Sequence, residues 1–253
     1  MARQVDVLII GGGVAGICTA HFLIERGREV TVVEKDEVCA GSSYGNAGLI
    51  VPSHSVPLAE PGVIGQGLRW MLDPDSPFYI KPRFDRDLIA WLWQFRKAST
   101  AKRVRAAMPL LRDLHLESFR HYEALAADLD FSFGHQGRLL LCRDEKGLAH
   151  VREEAELMGE IGLELEMLDR EGVRRIDASV DFDCIGGAFY AQDGHLDPAR
   201  FVRGLAARCV ERGLDLQERT EVLRFRREAG TIAAVETTRG DFAARDVVLC
   251  SGS

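Results

Sequence analysis

The sequence predicts an α/β protein: a domain built on parallel strands, interrupted by an inserted domain of mixed helices and strands. Three observations predict it. A strand, a glycine turn, a helix and a second strand follow one another in the first 34 residues. A long helical excursion comes next, and short β-branched strands return near the end. Val5–Ile10 (VDVLII) suits a strand buried on both faces. It leads into Gly11-Gly12-Gly13-Val14-Ala15-Gly16, which matches GxGxxG at Gly11, Gly13 and Gly16. Ala15–Arg26 carries helical apolar spacing and stops at Gly27, a natural left-handed terminator. Glu29–Val33 is the second strand, closed by Glu34.

Each part has a physical task. Gly11 permits the tight turn out of the strand. Gly13 lets the backbone approach a pyrophosphate, and Gly16 lets helix and strand pack closely. The helix N-terminus at Val14 and Ala15 offers free N–H groups and partial positive charge to phosphates. Glu34 lies 18 positions beyond Gly16, near the roughly 20 at which a ribose-binding acid stands. Its charge would accept ribose hydroxyls and disfavour a 2′-phosphate. The order and spacing of these parts point to a dinucleotide rather than to a structural turn.

A nicotinamide domain would continue in alternating strands and helices. Here Lys35–Ala40 leads instead into Gly41-Ser-Ser-Tyr-Gly-Asn-Ala-Gly48, a turn without helical or strand period, and then the apolar Leu49-Ile50-Val51. Backbone N–H groups and small hydroxyls in such a turn suit a second part of an extended cofactor.

GGGVAG, Glu34 and GSSYGNAGLIVP resemble the flavoprotein family of D-amino-acid dehydrogenases, glycine oxidases and sarcosine oxidases, above all the D-amino-acid dehydrogenase branch. Gly62–Leu72, Asp193–Phe201 and Asp246–Ser253 are also similar to that branch. The resemblance implies a Rossmann-like FAD-binding domain of glutathione-reductase type, at 1–55 and 195–253, with an inserted α+β substrate domain at 56–194. It implies FAD as the cofactor, with the pyrophosphate at Gly11, Gly12, Gly13, Val14, Ala15 and Gly16. The ribose would lie on Glu34 beside Lys35. Ser42, Ser43 and the Asn46-Ala47-Gly48-Leu49 turn would line the phosphate and isoalloxazine side. Val222 would meet the adenine through its backbone, in the alternating run Thr220–Phe225, and Ser251 and Gly252 would approach the cofactor in the final turn.

The rest of the chain follows in order. Residues 52–80 hold five of the eight prolines and read as an irregular connection. Asp87–Ala98 and Ala101–Leu129 read as long helices. Phe131–Phe133, Arg138–Cys142 and Gly186–Ala191 read as strands, with Lys146–Ile161 helical. Asp197-Pro198 opens a helix to about Arg212, with Asp as N-cap and Pro at the first turn. Leu214–Leu216, Glu221–Arg226, Ile232–Thr237 and Val247–Cys250 read as returning strands. The last ends three residues before the C-terminus, so the sequence is expected to be a truncated chain lacking part of the flavin pocket.

Composition bounds the function. A net charge of −7 and the lack of a Lys/Arg block argue against nucleic acid. No run approaches the ~20 apolar residues of a membrane span, and Arg3 and Asp6 are unlike a secretory leader. Six scattered cysteines read as reduced, mostly buried thiols in a cytoplasmic protein, with Cys39 as a candidate reactive thiol and no metal site. His54 reads as a solvated loop histidine and His195 as part of a turn. Trp91-Leu-Trp-Gln-Phe95 beside Arg96, Lys97, Lys102, Arg103 and Arg105 reads first as a core helix with a basic flank. The alternative is peripheral contact with the inner face of the plasma membrane.

The resemblance implies an enzyme that oxidises a small amino acid, most readily a D-amino acid, by hydride transfer from Cα to flavin N5. The imino acid then hydrolyses to a 2-oxo acid and ammonia. Quinone or oxygen would be the electron acceptor. No catalytic side chain or carboxylate-binding arginine is assigned. Oxidation of glycine, sarcosine or proline remains a second reading, and an FAD-binding fragment without turnover a third.

Overall fold

The structure, a computed structural model, describes residues 2–57, 59, 63, 65, 85–179 and 181–252. Most of the proline-rich connection 52–80, most of Gly62–Leu72 and the final Ser253 lie outside the described residues. The chain divides into two compact units. Met1–Leu49, Glu123–Gly134 and His195–Ser253 form the first, and Ile50–Tyr122 with His135–Gly194 form the second.

The first unit is built on β1 (Arg3–Ile10), α1 (Val14–Glu25), β2 (Val30–Val33), α6 (Pro198–Glu211), β8 (Asp215–Gln217), β9 (Val222–Glu228), β10 (Thr231–Thr237) and β11 (Phe242–Leu249). Its six-stranded sheet runs β8-β2-β1-β11-β10-β9. The first four strands are parallel and the last two add antiparallel. Strands covered on both faces need apolar residues at every position, and β1 and β2 end in unbroken buried runs. Leu8, Ile9 and Val32 have no exposed surface, each burial contributing roughly 1.5–3 kcal/mol. Leu8, Ile10, Val33, Val235 and Phe242 pack as one core cluster.

The helices are set by their ends. α1 stops where Gly27 turns left-handed (φ +74) and donates to the Ile24 carbonyl. α6 starts where the Asp197 carboxylate accepts from the N–H groups of Ala199 and Arg200, with Pro198 in the first turn. α1 packs against α6. At the amino end of the sheet, Arg28 donates twice to Asp6 (2.6 and 2.9 Å) and once to Asp246 (2.6 Å), tying β1 to β11. These bonds from the guanidinium hold the Asp6 carboxyl below its usual range.

The second unit carries a three-stranded antiparallel sheet, β4 (Arg138–Cys142), β6 (Gly186–Tyr190) and β5 (Glu166–Asp169), with β6 central. Around it lie α2 (Arg86–Ala98), α3 (Ala101–Ala126, its last residues counted with the first unit), α4 (Glu145–Glu160) and α5 (Arg170–Ile176). Two-residue strands β3 (Leu49–Ile50) and β7 (Gly194–His195) fall where the chain passes between the units. Val104 and Met108 of α3 meet Met158, Ile161 and Leu163 in one core cluster. A polar network is buried as well. Asp193, with no exposed surface, accepts from the Ser53 N–H (3.1 Å), the Ser53 hydroxyl (2.6 Å) and Arg138 Nε (2.9 Å). The same guanidinium donates to Ser53 Oγ (3.0 Å) and lies over the Tyr190 ring.

Four expectations are corrected. Phe131–Phe133 is not a strand: Ser132 is left-handed (φ +53), its N–H taken by the Asp130 carboxylate, and Phe131 is buried edge-on against Phe201. β11 starts at Phe242, five residues before the expected Val247, because its parallel register with β1 carries the polar Arg245-Asp246 inside the strand. β5 and α5 have no counterpart among the expected elements. Finally, α2 has no buried residue, and Ile89, Trp91, Leu92 and Trp93 are all exposed. Its aromatics stack along the helix surface instead, Trp91 on Phe95 and Lys97 over Trp93.

Candidate dinucleotide site

The parallel strands β1, β2 and β11 end side by side, since Ile10 is in register with both Val33 and Leu249. Open parallel sheets receive ligands outside these carboxyl ends. Here the three residues line a cavity of about 860 Å³, within the usual range for a ligand pocket.

The glycine turn is shaped by what surrounds it. Gly11 is left-handed (φ +113), and a Cβ there would lie 2.4 Å from the Cys250 carbonyl oxygen. A Cβ on Gly16 would lie 1.9 Å from the Gly11 oxygen, so only glycine lets α1 sit this close to the turn. Gly13 is the N-cap of α1 and has no side chain to cap it. Ser43 does so from elsewhere in the sequence: its Oγ accepts from the Val14 N–H at 3.0 Å. That hydroxyl therefore stands at the positive end of the helix.

Glu34 is held on every side. Its Oε2 accepts from the Gly12 N–H (2.6 Å) and its Oε1 from the Asp36 N–H (2.9 Å). Its backbone N–H donates to Gln217 and its carbonyl accepts from Thr220. A carboxylate has about four acceptor positions, so two remain for a ligand's hydroxyls.

Of the residues expected here, Gly11, Gly13, Val14, Ala15, Glu34, Lys35, Ser42, Ser43, Val222, Ser251 and Gly252 line the cavity. Gly12, Gly16, Asn46, Ala47, Gly48 and Leu49 are not in its lining. Gly12 lies beneath Glu34 and Gly16 beneath Gly11. Gly48 is buried, left-handed (φ +65), and pressed against Leu196, whose N–H donates to the Gly48 carbonyl at 2.8 Å.

Sequence reasoning missed Asp36, Cys39, Ala40, Thr220 and Glu221 in the same lining. No local signal marks Thr220 and Glu221. They arrive because 218–220 dock on 34–38: Glu218 accepts from the Val38 N–H, Arg219 N–H donates to Asp36, and Arg219 pairs with Glu37. Cys39 is left-handed (φ +67), donates its N–H to Gly12, and has its thiol pushed up by burial. A thiol so held is a poor nucleophile at neutral pH. All six cysteines are free, and burial pushes Cys18 and Cys209 up to about 11. His54 and His195 are exposed. Among the described residues no cluster of His, Cys, Asp or Glu could hold a metal ion, and no helix is long and apolar enough to cross a membrane.

These residues fit a flavin dinucleotide. The N-terminus of α1 meets a cavity wall lacking a Cβ at Gly13, a fixed carboxylate stands beside it, and Ile10, Val33, Val222 and Leu249 supply apolar surface.

The comparisons agree. A family description, DAO, FAD dependent oxidoreductase, matches residues 6–253. The chain is 32% identical to a D-amino acid dehydrogenase of Methylobacterium nodulans, over 97% of this chain and 60% of that protein. It is 33% identical to one of Cereibacter sphaeroides, over 98% and 58%. Among solved structures it is similar in fold to a glycine oxidase from Bacillus cereus, with TM-score 0.65, 24% identity, 98% of this chain covered and 55% of that one. The chain thus spans about 60% of the length of the curated relatives it matches.

Proposed function

The chain belongs to the family of FAD-dependent oxidoreductases, and on that premise we propose that its first unit holds FAD and that the whole protein oxidises a small amino acid, a D-amino acid first, to the imino acid and so to the 2-oxo acid. One observation carries the reading: the α1 N-terminus, Ser43 and the Glu34 carboxylate face a single cavity at the carboxyl ends of parallel strands. The likeness to D-amino acid dehydrogenases supports the substrate class.

When bound, FAD supplies the acceptor for the hydride that leaves the substrate Cα. The chain's own residues do the positioning. The α1 dipole and the Ala15 N–H would face the pyrophosphate, beside the Ser43 hydroxyl that already takes the Val14 N–H. Glu34 takes the ribose hydroxyls through its two open acceptor positions, and its charge repels a 2′-phosphate. The Val222 backbone would border the adenine, and Ser251, beside Gly11, and Gly252 would approach the cofactor from the end of β11. The second unit is the substrate domain of this reading.

The electron acceptor of this reading is a quinone or oxygen, and the relatives' name, dehydrogenase, favours an acceptor other than oxygen. To pass electrons to a quinone dissolved in a membrane, the protein must visit the bilayer surface. The exposed Ile89, Trp91, Leu92 and Trp93 beside Arg96, Lys97, Lys102 and Arg103 suit an anionic one. The chain should sediment with vesicles containing anionic lipid at low salt and be released at high salt. Vesicles that leave it in the supernatant at low salt exclude the contact.

The main test is flavin uptake. Purified chain mixed with FAD should retain it through desalting, quench its fluorescence, and show the visible flavin bands. Glu34→Ala should weaken binding by about 1.5–3 kcal/mol, the range of hydrogen bonds to charged groups. Equal affinity in the variant removes the ribose role, and no uptake by the wild type removes the reading.

A further inference from the structure

In the Gly41–Gly48 turn the side chain of Asn46 does not face the cavity; it faces its own loop. Its Nδ2 donates to the carbonyls of Ser42 (3.3 Å) and Ser43 (2.9 Å), and its Oδ1 accepts from the Gly48 N–H (2.8 Å). Both amide hydrogens and one of the two oxygen lone pairs are therefore spent within the turn. Little is left for a ligand.

The ends that Asn46 joins differ in what fixes them. Gly48 is anchored, since a Cβ on it would lie 2.0 Å from the Leu196 oxygen and its own carbonyl accepts from Leu196. Ser43 carries the hydroxyl that accepts from Val14 at the start of α1. Between them lie Tyr44, Gly45, Asn46 and Ala47, all exposed, and a glycine-containing surface turn has more backbone freedom to lose than any other segment. A side chain reaching from the anchored end to the Ser43 carbonyl removes that freedom before a ligand arrives. Binding then bears no ordering cost for the turn.

We infer that Asn46 is a positioning residue: it holds Ser43 at the α1 N-terminus and so presets the phosphate end of the cavity, without touching the cofactor. This rests on the reading of that cavity as the FAD site. Ser43 is the group through which Asn46 acts.

The experiment is a set of FAD titrations, by flavin fluorescence, on the wild type, Asn46→Ala, Asn46→Ser, Ser43→Ala and the double variant. Asn46→Ala should weaken FAD on the order of tenfold, and Ser43→Ala comparably. The double variant should bind no more weakly than the weaker single variant, because one removes what the other positions. Asn46→Ser should lose nearly as much as Asn46→Ala, since its hydroxyl can take the Gly48 N–H in a similar turn but cannot reach the Ser43 carbonyl. Adenosine, which has no phosphate, should bind the wild type and Asn46→Ala equally by saturation-transfer NMR. A structural collapse of the unit would lower both affinities. Wild-type FAD binding by Asn46→Ala, multiplicative losses in the double variant, or an equal loss of adenosine binding overturns the inference while leaving the FAD site standing. A wild type that binds no FAD overturns the site reading, and the inference with it.

Discussion

Gly16→Ala should unfold the first unit's cradle rather than trim its affinity. The added Cβ would sit 1.9 Å from the Gly11 oxygen, and neither partner can retreat. Gly11 is itself wedged, because its α-carbon faces the Cys250 carbonyl with no room for a side chain. Cys250 in turn donates its N–H to Ile10 at the end of β1. The clash therefore passes from helix to turn to β11, and relief requires moving α1 off the sheet. Overpacking in a well-packed core costs typically 1–3 kcal/mol; a methyl forced onto an immobile backbone carbonyl belongs at or above the top of that range, about 3 kcal/mol or more. Urea unfolding followed by far-UV circular dichroism should show an early loss of helix and strand signal, with FAD uptake abolished. Gly13→Ala is the contrast. Its Cβ would meet only the Ser43 hydroxyl at 3.0 Å, a side chain that can turn aside, so folding should survive while FAD binding falls. A Gly16→Ala chain with the wild-type midpoint would refute the packing argument.

Asp193→Ala should be the costliest change in the second unit. The carboxylate is fully buried and is the shared acceptor of Arg138 and both donors of Ser53. Its removal leaves a largely buried guanidinium without its counter-charge and a buried N–H without an acceptor. Breaking one side of a buried ion pair costs about 3–5 kcal/mol, most of it the penalty of the stranded partner. Trp91 and Trp93 are already exposed in the folded chain, so far-UV circular dichroism rather than tryptophan fluorescence follows the urea unfolding. Adding Arg138→Met to Asp193→Ala should return part of the loss, because the stranded charge goes too. If Asp193→Ala unfolds at the wild-type urea concentration, the network contributes nothing to stability.

The two sites differ in how visible they are to a reader of the sequence. The β1–α1–β2–Glu34 run was legible because each device acts over a few neighbouring residues: a buried strand, a turn that demands glycine, a helix that stops at Gly27, an acid at the next strand's end. The cap of α6 was legible for the same reason, Asp197 and Pro198 being adjacent. The buried network was not legible, since Ser53, Arg138 and Asp193 are ordinary polar residues until the chain brings them together. Phe131–Phe133 misled because aromatic residues favour strands, whereas the left-handed Ser132 and the packing of Phe131 on Phe201 overrode that preference. The aromatic run of α2 misled in the opposite sense: its composition fits a core, and its residues lie on the surface.

From sequence alone came the class of the fold, a dinucleotide as its ligand and the acid that should hold the ribose, because glycine stereochemistry and strand burial leave few alternatives at short range; that the dinucleotide is FAD came from the resemblance of the motifs. Tertiary structure decided the rest. It placed Thr220 and Glu221 in the cavity wall beside Glu34, set Ser43 rather than an adjacent residue as the cap of α1, and turned Asn46 inward on its own loop. Those outcomes depend on where distant stretches of backbone come to rest against one another, and a hydrogen bond has no preference for sequence neighbours once the fold has brought donor and acceptor within reach.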